Sequence, residues 1–404
     1  FSMFRLSDWN KPSIDVVPLF ETVSDLNVAS LVMESVYKNP VYRKHLSFRN
    51  DQQTIMLGFS DGTKDGGYLM AHWSILKAKE SLTTISRKYG VKVVFFDGRG
   101  GPPARGGGNT HQFYSSMGTF VESDEIQLTV QGQTISSNFG TIDSCQYNLE
   151  QLLSAGIQNR VLNTKHNESK KEYKAILDNL AKIIYKSYSD FKNHPKFVPY
   201  LEHMSTIRYY AKTNIGSRPS KRGKSDDKFD FNSLRAIPFV GSWSQLKQNV
   251  PGFYGVGTAL KYYVDNNRFS DLKKLYKRSA FFRTLISNSM MSLTKSFFKL
   301  TAYMKEDPEY GEFWQLIYKE YELSKFLILK LSGFKELMEN EPANKASIEI
   351  REKIVLPLIT IQQYALRKIK DIERGHLSKS ELKIYEKMVT RSLFGNINAS
   401  RNSA

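Results

Sequence analysis

The apolar run Val91-Lys92-Val93-Val94-Phe95-Phe96 passes almost directly into Gly98-Arg99-Gly100-Gly101-Pro102-Pro103-Ala104-Arg105-Gly106-Gly107-Gly108, with six glycines and two arginines in eleven residues. No other segment limits the fold as strongly. The apolar run reads as a buried strand. Glycine lets the backbone after it take positive φ and approach a ligand closely. Arginine adds planar, bidentate donors suited to phosphate or carboxylate. A strand ending in such a loop is expected to bring backbone N–H groups and two guanidinium forks to one oxyanion. The loop is neither a Walker A loop nor a G-x-G-x-x-G opening a helix. His111, just beyond it, reads as an ordinary half-buried histidine.

The same order of strand, polar end and helix recurs upstream. Asp15 to Phe20 reads as a strand ending at Glu21-Thr22, with a helix from Asp25 through Met33 and Val36. Thr54 to Phe59 is a second strand, ending at Ser60-Asp61-Gly62, and a helix from about Tyr68 to Tyr89 stops at Gly90. The third strand is 91–96, and Ile126 to Val130 is a fourth, ending at Gln131-Gly132. This repetition signals parallel βα units. Four strands are too few to close a barrel. The expected fold is therefore α/β and predominantly helical: part of a TIM-like (β/α)8 barrel over 1–145, then a large C-terminal α-helical region over 146–404.

Helices are expected at 146–160, 170–190, 268–304, 312–332, 345–373 and 378–393. Gly375 stands where a C-cap would end the fifth, and Ser378 with Glu381 forms a capping-box start for the sixth. A polar stretch rich in Gly, Ser, Lys and Arg runs from Lys212 to Arg235. The Phe281-Phe282 and Phe297-Phe298 pairs read as core.

In barrels the catalytic groups sit at the carboxyl ends of the strands. Here those ends carry Glu21, Asp61 with Lys64, Arg99 with Arg105, and Gln131. Glu21 and Asp61 could share a hard divalent cation, which favours carboxylates plus water and substrate oxygens. Alternatively Asp61 is a helix N-cap and Glu21 a surface carboxylate. Lys64, read at a helix N-terminus, opposes the dipole. Either an anionic substrate or an ion pair with Asp61 or Asp65 would account for it. Arg218 and Arg235, taken alone, would be solvated.

At 404 residues the chain could hold two or three domains or one large unit. With 40% hydrophobic and 13% aromatic residues it is a folded protein. No apolar run reaches the roughly 18–20 residues of a membrane helix, and no signal peptide is visible. Phe1 is not a methionine, so a fragment or processed product is expected. The single cysteine, Cys145, excludes an internal disulfide and suits a reducing compartment, the cytoplasm. The net charge of +18 invites a nucleic-acid reading. Yet the basic residues are spread along helices, without an RNP, zinc-finger or helix-turn-helix signature. A lysine-rich surface, an acidic half elsewhere, or an anionic small substrate is preferred, with no nucleic acid and no membrane as partner.

Taken together, these segments resemble phosphoenolpyruvate carboxylase. The matching pieces run in family order: Val17-Pro18-Leu19-Phe20-Glu21-Thr22, Gly58 to Gly66, Gly98 to Gly108, and Gln131-Gly132. Gly216-Ser217-Arg218-Pro219 with Lys221-Arg222 follow, then Ser233 to Pro238 with Trp243-Ser244-Gln245, and Arg401-Asn402. They correspond to the carboxyl-terminal half of the family's chain. The family carboxylates phosphoenolpyruvate with bicarbonate, giving oxaloacetate and phosphate, with Mg²⁺ or Mn²⁺.

The resemblance implies that Glu21 and Asp61 are metal ligands, and that Arg99, Arg218 and Arg235 hold the substrate's phosphate and carboxylate. It places Arg105 on a mobile loop assisting the chemistry, Lys64 on bicarbonate, Gln131 among the substrate contacts, and Leu19 and Met56 where nascent CO₂ sits. A catalytic histidine and a further phosphate-binding arginine belong to the family's amino-terminal half. The chain alone is therefore expected not to turn over, and the full-length protein to be a homo-oligomer. Three departures stand out. Asp97 replaces a histidine, Pro102-Pro103-Ala104 replaces smaller or more flexible loop residues, and Pro357 aligns with one arginine of the family's inhibitor site. Lys295, Arg105 and Asn402 match the rest of that site. A catalytically silent relative, acting as scaffold or anion sensor, is the alternative.

Overall fold

The computed structural model describes residues 14–130, 133–162, 171–212, 231 and 233–400. Four short strands, β1 (Leu19–Phe20), β2 (Gln52–Gly58), β3 (Lys92–Gly98) and β4 (Ile126–Leu128), form one parallel sheet in chain order. Between them lie α1 (Val23–Lys38), α2 (Pro40–Phe48), α3 (Phe59–Gly66), α4 (Tyr68–Lys88) and α5 (Thr110–Ser115). The expected four βα units are present, as part of a barrel wall. β1 is two residues long rather than six, and Phe59 opens α3 rather than closing β2.

The described remainder is helical: α6 (Gln133–Phe139), α7 (Ile142–Ile157), α8 (Lys171–Lys192), α9 (Phe197–Met204), α10 (Ala236–Gln245), α11 (Val256–Asp265), α12 (Phe269–Arg278), α13 (Ala280–Thr294), α14 (Gly311–Ser332), α15 (Pro342–Glu373) and α16 (Leu382–Ser400). The stretch 268–304, expected as one helix, is two helices and a 3₁₀ turn. Ser279 is extended and its side chain caps α13 by accepting from the Phe282 N–H, which ends α12. Gly375, at φ +80°, terminates α15 as expected. Ser378 caps a short 3₁₀ turn through the Ser380 N–H, one residue short of the expected capping box.

Strand register sorts the sheet into two faces. Leu19, Met56, Phe96 and Gln127 stand in one row; Phe20, Leu57, Asp97 and Leu128 stand in the next. Successive side chains alternate faces, so each row belongs to one side. Helices cover the second row. α1 turns Val23, Leu26, Ala29, Met33 and Tyr37 inward at helical spacing. α4 is buried on nearly every side, as a helix wedged between a sheet and other helices must be. One continuous core runs from Phe20 to Ile348. A smaller cluster joins Tyr209 and Tyr210 to Leu366 and Ile369 of α15 and Val389 and Leu393 of α16.

Candidate functional site

Glu21 follows β1 directly and returns to the side of Leu19. Its backbone is set by the capping box of α1, in which the Thr22 side chain and the Asp25 carboxylate exchange hydrogen bonds with each other's N–H groups. Gly58 makes room for it, since a Cβ there would lie 3.0 Å from both Cα and Cγ of Glu21. Asp61 occupies the first turn of α3, where a carboxylate complements the dipole. It is not the N-cap; Gly58 holds that position.

Lys64 lies in the last turn of α3, not at its start, so it agrees with the dipole rather than opposing it. Its ammonium donates to the carbonyls of Phe231 (3.2 Å) and Leu234 and sits 4.6 Å above the Phe231 ring. Asp65 serves elsewhere, accepting from the Val23 N–H at 3.0 Å and pairing with Lys192 at 3.6 Å. Arg235 is half-buried at the N-cap of α10, one residue after the carbonyl that Lys64 holds. Lys64 and the Arg235 segment are thus brought together across the chain.

The glycine segment is compact and mostly buried. The N–H groups of Gly100, Gly106, Gly107 and Gly108 donate to the carbonyls of Arg105, Pro103, Pro102 and Gly101. These amides are spent within the loop instead of being presented to a ligand, which corrects the sequence expectation for those four. Compactness is why glycine is required here. A Cβ at Gly107 would collide with the carbonyls of Gly100 and Gly101, and Gly106 takes φ +73° against Phe59. Three side chains hold the loop from outside. Ser60 donates to the Arg105 carbonyl (2.9 Å), a His72 ring nitrogen meets the Gly106 carbonyl (3.1 Å), and Asn288 accepts from the Asn109 N–H (3.1 Å).

The two arginines face different surroundings. Arg105 is buried beside Asp61 and Tyr210. Burial lowers its pKa to about 10, while the Asp61 and Tyr210 charges oppose that fall. Arg99 is also buried. Its guanidinium carbon lies 4.4 Å from the Phe113 ring, 5.6 Å from Tyr114 and 5.7 Å from Phe59, a cation–π setting. None of its three nitrogens makes a hydrogen bond among the described residues.

Leu19 and Met56 are direct neighbours across β1 and β2 on the open face, with Leu19 45% exposed. Gln131, Arg218 and Asn402 lie outside the described residues. Lys295 sits at the end of α13, facing a narrow cavity with Lys247, Asn249, Arg351, Glu352 and Asn396. Burial, then the charges of Lys247 and Arg351, lower its pKa to about 8. Pro357 stands inside α15, and Arg351, six residues earlier, supplies a cation to this cavity.

Sequence reasoning missed Lys247, Arg351 and Asn396, which reach the cavity from the turn after α10, from α15 and from α16. It also missed Lys79 and Tyr114, which bind Asp97 at 2.6 and 2.7 Å. A signal for Lys79 existed. It falls on the buried stripe Ile75, Lys79, Leu82, Ser86 of α4, where a lysine needs a partner.

Glu21 and Asp61 fit a hard divalent ion. They offer oxygen donors only, and the missing side chain at Gly58 leaves Glu21 its place. Among the described residues no group of three or more His, Cys, Asp or Glu side chains converges. No helix among them is long and apolar enough to cross a membrane. The phosphoenolpyruvate carboxylase family model matches residues 3–400, almost the entire chain. The strand-end residues on which the resemblance rests therefore stand in a family frame, and the chain belongs to the phosphoenolpyruvate carboxylases.

Proposed function

We propose that this chain carries the strand-end half of a site that joins bicarbonate to phosphoenolpyruvate, giving oxaloacetate and phosphate. The observation that carries this reading is the Asp61 charge acting on buried Arg105 just past the ends of β2 and β3, with Glu21 packed on Gly58 at the end of β2. Glu21 and Asp61 would hold Mg²⁺ or Mn²⁺. When bound, the metal supplies charge stabilisation for the phosphate and the developing enolate.

The residues of the chain do the rest. Arg99, Arg218 and Arg235 neutralise the substrate's phosphate and carboxylate, which is most of what phosphoryl transfer asks of a protein. A bicarbonate oxygen, placed by Lys64, attacks phosphorus, and the bond from phosphorus to the enol oxygen breaks. Carboxyphosphate then releases phosphate and CO₂, and the enolate carbon bonds to CO₂. Arg105 offsets charge beside Asp61 during this sequence. Gln131 adds a polar substrate contact. Leu19 and Met56 give CO₂ an apolar wall and keep water from the reactive species. Lys295 and Asn402 would belong to an effector site whose cations now include Arg351.

The 404 residues by themselves are proposed not to turn over, because the resemblance places a histidine and another arginine outside them. The working form is a cytoplasmic homo-oligomer. Oxaloacetate formation, coupled to NADH oxidation with bicarbonate and Mg²⁺, tests the reading on the longest expressed form. Arg105→Gln should abolish it, and an unaffected rate would sink the assignment. A second reading, a silent anion-sensing or scaffold relative, draws on the aromatic enclosure of Arg99. An inactive full-length protein that still binds phosphoenolpyruvate would establish it.

A further inference from the structure

Asp97, which the family resemblance sets against a histidine, is completely buried. Its Oδ2 accepts from the Lys79 ammonium at 2.6 Å and from the Tyr114 hydroxyl at 2.7 Å, while Oδ1 has no hydrogen-bond partner among the described residues. Lys79 is buried as deeply, on the helix behind the sheet. Among the described residues Arg99 is held by rings, with the Tyr114 hydroxyl beside its guanidinium. Phe59 and Phe113 meet edge-on at 5.7 Å, and Phe113 and Tyr114 edge-on at 5.4 Å, leaving a slot for the guanidinium. Of these three rings only Tyr114 has a polar anchor, and Asp97 is that anchor. Burial and the neighbouring carboxylate push the Tyr114 hydroxyl well up, against the Arg99 charge and its contact with the hydroxyl, so it stays protonated and donates to Asp97.

Charge arithmetic points the same way. Two buried cations, Lys79 and Arg99, share one buried carboxylate. Lys79 already takes that carboxylate, so among the described residues the positive charge left over is on Arg99, whose nitrogens make no hydrogen bond of good geometry there. A buried unpaired charge is strongly unfavourable, and an oxyanion would supply the pairing that the described residues do not give Arg99.

We infer that Asp97 is a positioning residue that, through Tyr114, fixes the aromatic slot holding Arg99, and that Lys79 is the counter-charge that lets a carboxylate stand there. The purpose of that positioning rests on the phosphoenolpyruvate reading above; the positioning itself does not. Asp97→Asn alone leaves Lys79 and Arg99 facing each other and is expected to unfold the chain. Asp97→Asn/Lys79→Gln removes both charges at similar size and is expected to fold, as is Tyr114→Phe. In protein labelled with ¹⁵N-arginine, the Arg99 Nε–H resonance is assigned by its loss in Arg99→Lys.

In the two folded variants that resonance should shift and exchange with solvent roughly tenfold faster, with phosphoenolpyruvate plus Mg²⁺ binding roughly tenfold more weakly by calorimetry, the equivalent of about 1.4 kcal/mol. An Arg99 resonance unchanged in both variants overturns the inference, whatever phosphoenolpyruvate does. Should the resonance move while even the parent chain ignores phosphoenolpyruvate, positioning stands and the substrate reading falls.

Discussion

The two faces of the sheet obey different rules. Behind it, Phe20, Leu57 and Asp97 are sealed under helices, and even a carboxylate there is matched by donors from two elements. In front, Leu19 and Val17 remain more than 40% exposed, and Met56, Phe96 and Gln127 are half-buried. One face is covered by the chain's own helices; the other presents apolar and polar side chains outward in a row. The lesson is that a polar residue on the closed face must be read through its partners, and an apolar residue on the open face through what it could touch.

The closed face should break hardest at its charges. Lys79→Met strands Asp97 in a buried site and should cost about 3–5 kcal/mol of stability, measured by urea unfolding. A loss near zero would mean the face is less sealed than it looks. Next comes acid. Burial, with help from the Arg99 charge, lowers the His72 pKa from 6.5 to about 3, against opposition from the Tyr68 and Gly106 carbonyls. The unfolded chain therefore takes up a proton that the folded one refuses. Stability present above about pH 6.5 should drain as pH falls toward about 3, by up to roughly 1.4 kcal/mol per pH unit. His72→Gln should flatten that slope in a pH series of melting curves.

The open face should barely register in stability. Leu19→Ala is expected to change it by less than about 0.5 kcal/mol, while oxaloacetate formation in the full-length protein falls several-fold. A stability loss comparable to that of Lys79→Met would erase the contrast between the faces.

Much of this was legible in the sequence, and for identifiable reasons. Strand order, the glycine-rich end of β3 and the helical second part all follow from local periodicity and punctuation. Local signals failed where one residue overrode a pattern, as when Ser279 divides a continuous apolar stripe into α12 and α13. Lys64 reads at the start of the helix expected from about Tyr68, whereas Phe59–Gly66 forms a helix of its own that puts Lys64 in its last turn and reverses the dipole argument. Arg99 and Arg105 stand out in the sequence as a pair on one glycine-rich loop. Their separate surroundings were not, since Phe113, Tyr114, Asp61 and Tyr210 reach them only through tertiary folding.

The Lys79–Asp97 contact also has a consequence for descent. Either residue changed alone leaves a charge stranded in the interior, while both changed together can be nearly neutral. A lineage that carries aspartate at this position can lose it only by way of a poorly folded ancestor or by two substitutions at once. The pair works as a ratchet, and lysine at 79 should be inherited wherever aspartate at 97 is.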